Sequence, residues 1–296
     1  MAVADTPQAA APGATQAQDI VVETRAAKRR GPRRWPLYLV AGLLTLFLLL
    51  PIYLITIAAL SPRAAVNEFP KSLIPREFSL ETLLFFLNSR GVLASAWNSV
   101  VVGLITLALS LVIGTPAGYA LARFAFRGRD AFKVLILTTR AFPIVILSVP
   151  LAVTFIQWGL YDTVLAVALV HTALALPTTV LITSSIFISV PRDLEEAALT
   201  LGCTPVGAFL RVALPLALPG LAAASLFTFV LSWNEVFAAA ILTVSQRTLP
   251  AQVFTSLGDS PLPFRFAGGF ALIVPSLVFI FFIRRYLFNM WGRVVR

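Results

Sequence analysis

The sequence predicts an all-α membrane protein with six transmembrane helices, and three observations carry that expectation. Charged residues make up 12% of the chain and hydrophobic residues 58%, with a mean hydropathy of +0.89, whereas a soluble domain keeps about a quarter of its residues charged. Two stretches, Gly91 to Ala122 and Thr163 to Pro191, contain no Asp, Glu, Lys or Arg. Each exceeds the roughly 20 residues that a helix needs to cross about 30 Å of hydrocarbon. The apolar runs are apolar all round rather than alternating with period two, which disfavours a β-barrel.

Residues 1–34 form a basic segment whose first 24 residues are rich in Ala, Gln, Thr and Pro. That composition buries too little apolar surface to fold and predicts a disordered tail. The first span, Pro36–Leu60, is too long for a signal-peptide core, and its basic flank and length suit an uncleaved anchor. It contains Pro51, which a helix in lipid tolerates when neighbours re-satisfy the freed carbonyl. The segment from Ser61 to Arg90 is broken by Pro62, Pro70 and Pro75, with a short helix start at Ser79-Leu-Glu-Thr. It reads equally as a connector or as a contact for an external partner. The second span, Gly91–Ala122, carries Trp97 near its outer end, where an aromatic belt residue belongs. The third, Phe132–Trp158, carries Pro143 and Pro150 as expected kinks, and the fourth, Thr163–Pro191, carries His171 and Pro177. Pro219–Val244 and Phe266–Ile283 read as the fifth and sixth. The transmembrane domain thus covers 35–288, with a polar loop at 189–218 and a short tail at 289–296.

The formal charge of +10 invites a nucleic-acid reading, but its distribution argues otherwise. With both termini in the cytoplasm, the inner segments hold 16 Lys and Arg, the outer segments six, and Arg140 lies within a span. This is the positive-inside pattern, which sets orientation without a polyanionic ligand. The basic stretch Arg25–Arg34 also lacks interleaved aromatics. Cys203 is the only cysteine and His171 the only histidine, so neither a disulfide framework nor a transition-metal site is expected.

The loop at 189–218 carries the most specific pattern. Pro191 suits the first turn of a helix, Asp193, Glu195 and Glu196 lie near the positive end of its dipole, and Gly202 suits a left-handed cap. Leu194, Ala197, Ala198 and Leu201 recur at helical spacing and give one apolar stripe, with small Ala side chains that allow close approach by another surface. Pro205 and Pro215 bracket a second short helix leading to Pro219-Gly220. Glu196-Ala197-Ala198, three residues, Gly202, nine residues and Val212-Ala213-Leu214-Pro215 together match E-A-A-x3-G-x9-[IV]-x-L-P.

That pattern resembles the cytoplasmic signature of permease subunits in binding-protein-dependent ABC importers of the maltose-importer type, which serve sugars and polyols. The resemblance covers about residues 35–285. Arg123-Phe-x-Phe-x-Gly-Arg is similar to the turn after that group's second span, and Ser232-Trp233-Asn234-Glu235 to its fifth span. The chain departs from the group at Leu201, where many members have Asp, and in its ending Trp291-Gly-Arg-Val-Val-Arg296. The resemblance implies a type I importer permease in a bacterial or archaeal cytoplasmic membrane. It implies a second permease subunit, two ATP-binding cassette ATPases that accept the signature helix, and an extracytoplasmic binding protein that delivers substrate. Asp193, Glu195, Glu196, Ala197, Ala198, Gly202, Leu214 and Pro215 would then couple to the ATPase. No G-x-x-x-x-G-K-[ST] occurs, and none of Lys28, Lys71 and Lys133 follows a glycine. The chain is therefore expected to bind no cofactor and to be no enzyme, with ATP and Mg on the partner ATPase.

The polar residues within spans need separate reading. A charge near a span centre costs on the order of 3 kcal/mol, so Arg140 must face protein or water. Three readings are open: an ion pair with Glu235, snorkelling to the interface, and lining of the substrate pathway. Trp233 and Asn234 suit stacking on and hydrogen bonding to a hydroxylated substrate, and equally suit aromatic packing. His171 is expected to make an interhelical hydrogen bond. Polyamines and phosphorylated solutes remain rival cargoes. An ion-coupled secondary transporter would need acids in several spans, where only Glu235 occurs, and an intramembrane enzyme would need paired catalytic residues.

Overall fold

A computed structural model describes residues 35–70, 73–74, 77–256 and 258–291, with side chains described through Phe282. The tail expected at 1–34 and the end of the tail expected at 289–296 lie outside the described residues. The chain divides at Leu48 into two compact units, Met1–Leu48 and Leu49–Arg296. In the first, the described residues are helical from Trp35, the start of α1 (Trp35–Ala59). The second holds the end of α1 and all other elements.

Short helices α2 (Arg63–Asn67) and α3 (Glu81–Leu87) precede the long α4 (Val92–Arg123). Next come α5 (Arg129–Thr138), prolonged by a 3-10 turn to Ala141, α6 (Ile144–Gln157) and α7 (Val164–Ser189). The signature helix α8 (Arg192–Thr200) leads to α9 (Pro205–Ala208), a π-helical turn at Phe209–Ala213, and α10 (Leu214–Asn234). Short helices α11 (Phe237–Leu242) and α12 (Leu249–Ser256) precede α13 (Leu262–Trp291). Five stretches are long and apolar enough to cross a membrane, and α5 with α6 makes a sixth span if the bent pair counts as one. The described residues contain helices and no strands.

The third and fifth spans differ from the sequence expectation. In place of one kinked helix over 132–158, the helix ending at Ala141 meets α6 at 85°. Pro143 has no N–H to continue the ladder and forces its predecessor out of the helical region, so Phe142 is extended at φ −79, ψ 119. The fifth span lies not at 219–244 but at Pro205–Asn234. No break separates a short helix bounded by Pro205 and Pro215 from that span. The wider π turn before α10 absorbs the donor that Pro215 lacks, and the helix runs on through Pro219.

Packing follows membrane rather than aqueous logic. Large apolar side chains such as Val112, Ile146, Leu218, Phe227 and Phe281 are exposed, while Thr106, His171, Thr179, Thr183 and Thr228 are buried. Burial of apolar surface gives little drive where lipid is as apolar as leucine, so close backbone approach and hydrogen bonds between helices hold the bundle. Helix α4 packs most extensively on α7. At Gly118 a Cβ would lie 2.0 Å from Thr183 Oγ1, so only glycine fits, and the Thr183 hydroxyl donates to Gly114 O at 3.0 Å. Thr179 and Thr228 join α7 to α10 at 3.0 Å. At one end of the bundle Asp162, in a left-handed turn at φ 58, accepts from the backbone N–H groups of Val244, Ser245 and Gln246 at 2.8, 2.9 and 3.0 Å. That single carboxylate pins the segment between α11 and α12.

Candidate functional site

Two features of the larger unit carry function, a cavity in the membrane bundle and a helix anchored on its surface. The cavity measures about 880 Å³ and lies between the α5–α6 bend, α6, α7 and the end of α10. Phe142, Pro143, Phe155, Trp158, Leu174 and Pro177 form apolar walls, and Arg140, Asn234 and Glu235 supply the charged and amide groups. It exists because two helices break beside it. The first break is the Pro143 bend. At the second, α10 stops at Asn234 and the Glu235 carboxylate starts α11 anew, accepting from Ala238 N at 3.0 Å and Ala239 N at 3.2 Å. Glu235 Oε2 also accepts from His171 Nε2 at 3.0 Å, and His171 Nδ1 lies 2.9 Å from Ser232 Oγ. His171 is fully buried, so it makes the expected interhelical bond with both ring nitrogens engaged.

Arg140 does not pair with Glu235. Its guanidinium has no ion pair among the described residues, and Glu235 is held instead by His171 and the α11 backbone. Arg140 is exposed at the cavity wall, on the last turn before the bend. Asn234 is exposed there too, its amide donating to Val230 O at 2.8 Å and its side-chain oxygen facing no protein donor among the described residues. Trp233 is not a wall residue. It is 3% exposed, donates from Nε1 to Leu272 O at 3.0 Å in α13, and stacks against Phe229.

The second feature is α8. Pro191 opens it, and Gly202 closes it at φ +91 with nothing near the place of a Cβ. Gly202 N donates to Leu199 O and Cys203 N to Ala198 O, both at 3.0 Å, the paired bonds of a Schellman end. Asp193, Glu196 and Ala197 are exposed, as are Leu194, Leu199 and Leu201, the last at 86%. Glu195 and Ala198 instead face inward. Leu214 is half-buried against a core of Phe187, Val190, Ala213 and Ala217, and Pro215 is exposed.

Glu195 thus faces into the fold rather than towards the open side of α8. Tyr119 OH donates to its Oε2 at 2.7 Å, and Arg123 donates from Nε at 2.8 Å and also from Nη2. Arg123 Nη2 further bonds Val190 O at 2.9 Å, and Arg192 caps the end of α4 through Ala122 O and Arg123 O. This cluster rivets α8 to α4 and α7, which pack on each other and on α10; of these, α7 and α10 line the cavity. Sequence reading placed Arg123 only in the turn after the second span and passed over Tyr119. No local spacing rule connects residues separated by 72 and 76 positions.

A bundle of membrane helices with a solute-sized cavity, rigidly joined to a surface helix that leaves its apolar side open, is the architecture of a transport subunit driven from outside itself. The chain belongs to the family of binding-protein-dependent transport system inner membrane components, which it matches over residues 114–289. It is thus a multi-pass inner-membrane permease of ABC importers, and the coupling signature and last four spans fall inside the matched region. The trehalose transport system permease protein of Mycobacterium tuberculosis (strain CDC 1551 / Oshkosh) is 32% identical over 81% of this chain and 89% of its own length. The sulfoquinovosyl glycerol transport system permease protein of Agrobacterium fabrum (strain C58) is 32% identical over 76% and 80%. Among solved structures, a bacterial ABC transporter for import of the acidic polysaccharide alginate matches with a TM-score of 0.69 at 23% identity, covering 87% of this chain and 98% of that one. At that identity the likeness establishes the fold.

Proposed function

We propose that this chain is one of two permease subunits that enclose the pathway for a sugar or polyol delivered by an extracytoplasmic binding protein. Two separate ATPase subunits bind ATP and Mg, and one of them docks on the open side of α8. The observation that carries this reading is the riveting of α8 by Glu195, Arg123 and Tyr119, because a helix so fastened passes a push on its open side directly to α4 and α7. ATP-driven closure of the ATPases then shifts the population between two cavity orientations through differential affinity for each.

The relatives named for trehalose and sulfoquinovosyl glycerol support a saccharide cargo. So does a cavity of about 880 Å³, within the roughly 300–1,000 Å³ of small-molecule sites. Phe142 and Trp158 offer faces for stacking on a sugar ring, and Arg140 and Asn234 offer hydrogen bonds to hydroxyls. A polyamine is disfavoured, since the cavity's carboxylate is already spent and its free charge is positive. The positive-inside bias supports cytoplasmic termini and a cytoplasmic α8, with 61–93, 159–162 and 245–264 outside.

Reconstitution of this permease with its partner permease, ATPase and binding protein tests the function. Sugar-dependent ATP hydrolysis and uptake from a panel of saccharides, polyols and polyamines are expected, with polyamines inert. Uptake of a polyamine with no response to any sugar or polyol refutes the cargo. External labelling of a single cysteine at 204, with Cys203 removed, refutes the orientation.

A further inference from the structure

We propose that the pocket where α4 and α7 end and α5 and α8 begin binds the phosphate of an anionic phospholipid. The pocket holds about 360 Å³ and is lined by Arg123, Arg129, Arg192, Ile188, Ser189 and Val190, among others. Arg123 is committed to Glu195 and Val190 O. Arg192 uses Nη2 alone, for the carbonyls of Ala122 and Arg123, which leaves its other nitrogens open. Arg129 Nε is buried and meets no hydrogen-bond acceptor among the described residues. Three guanidiniums against the one carboxylate of Glu195 leave a surplus of positive charge. The nearby Asp130 is engaged by Lys133 at 3.3 Å and is not a wall of the pocket.

A buried donor without an acceptor is costly and calls for a water, an ion or a ligand at that place. Phosphate supplies several acceptor oxygens and matches the planar fork of a guanidinium. The surroundings select a lipid as its carrier. Helix α5 begins at Arg129 and buries none of its residues, and Phe132, Val134, Leu135 and Leu137 are all exposed. Ile188 at the pocket wall is exposed as well. A phospholipid satisfies both features at once, with its phosphate among the arginines and its acyl chains along α5 and Ile188. Basic pockets between membrane helices recognise anionic head groups in this way.

The test uses the complete transporter, delipidated and then exposed to phosphatidylglycerol, phosphatidylcholine or inorganic phosphate, with retained lipid counted by native mass spectrometry. Wild type is expected to hold phosphatidylglycerol in preference to phosphatidylcholine, and Arg129→Gln to hold it about tenfold more weakly, as loss of one charge-assisted bond implies. Ser189→Asp leaves every guanidinium in place but adds a carboxylate at the pocket wall, and it is expected to release the lipid too. Arg129→Lys should retain part of the preference. Equal retention of both lipids by wild type, or undiminished phosphatidylglycerol retention in both Arg129→Gln and Ser189→Asp, overturns the site. Displacement of the lipid by inorganic phosphate alone makes the ligand a soluble anion and overturns the lipid assignment.

Discussion

Replacing Glu195 by alanine tests the rivet at its centre. The change removes three hydrogen bonds, two of them from the Arg123 guanidinium, at a site where both side chains are 8% exposed. Breaking one partner of a buried pair costs about 3–5 kcal/mol, because the surviving charge is left without compensation. Arg123 keeps its bond to Val190 O, which places the cost towards the lower figure, about 3 kcal/mol. At 1.4 kcal/mol per factor of ten, that weakens attachment of α8 to α4 by roughly a hundredfold. The expected phenotype in the reconstituted transporter is ATP hydrolysis without matching uptake, since the docked helix can then move without carrying α4 and α7. Glu195→Gln should lose less, because its amide oxygen still accepts from Tyr119. The double variant Arg123→Met with Glu195→Met should recover much of the loss by removing the stranded charge. Normal coupling of hydrolysis to uptake in Glu195→Ala, with the protein correctly assembled, would refute the mechanical role of the clamp.

Further outcomes follow from the same geometry. Gly202→Val is expected to lower coupling through backbone strain at φ +91, by about 1 kcal/mol or more, and to leave the core intact because the site is open. Gly118→Val should instead separate α4 from α7 and reduce assembled protein in the membrane, because a Cβ there would meet Thr183 Oγ1 at 2.0 Å; unchanged assembly would contradict the close packing. Arg140→Ala should lower uptake while assembly persists. Its effect should add to that of Glu235→Gln within about 0.5 kcal/mol, and strong mutual rescue would restore the ion pair that the structure excludes. At Asp162, burial pushes the carboxyl up, but bonds from the Ser245 hydroxyl and the N–H groups of Gln246, Val244 and Ser245 outweigh it and hold the carboxyl below its ordinary value. The depressed value means that its contribution is complete above the unfolded value of about 3.9 and is lost as pH falls through the lower folded value. Hydrogen-exchange protection at residues 244–246, taken relative to the intrinsic exchange rate at each pH, should therefore be flat above about pH 4 and fall below it, and Asp162→Asn should lower it at neutral pH.

The sequence by itself determined the membrane class, the all-helical architecture with its five to six apolar spans, and the signature helix with its glycine end. These are local properties. Hydropathy sums over a window, and the φ of a helix-terminating glycine is set within its own turn, so a helix opening at Pro191 and closing at Gly202 was legible to within a residue or two of the observed Arg192–Thr200. The tertiary structure decided where helices break and which polar groups meet. Pro143 bends its span by 85° while Pro150, Pro177 and Pro219 are carried inside continuous helices, a difference that the presence of proline alone does not encode. Glu235 takes His171 rather than Arg140, and Glu195 turns inward to residues more than 70 positions away. A helix that is apolar on every side carries no periodic mark of its inner face, and contacts between distant helices leave no spacing in the chain. Only the packed bundle, through the close approach of α4 and α7, brings those side chains within reach.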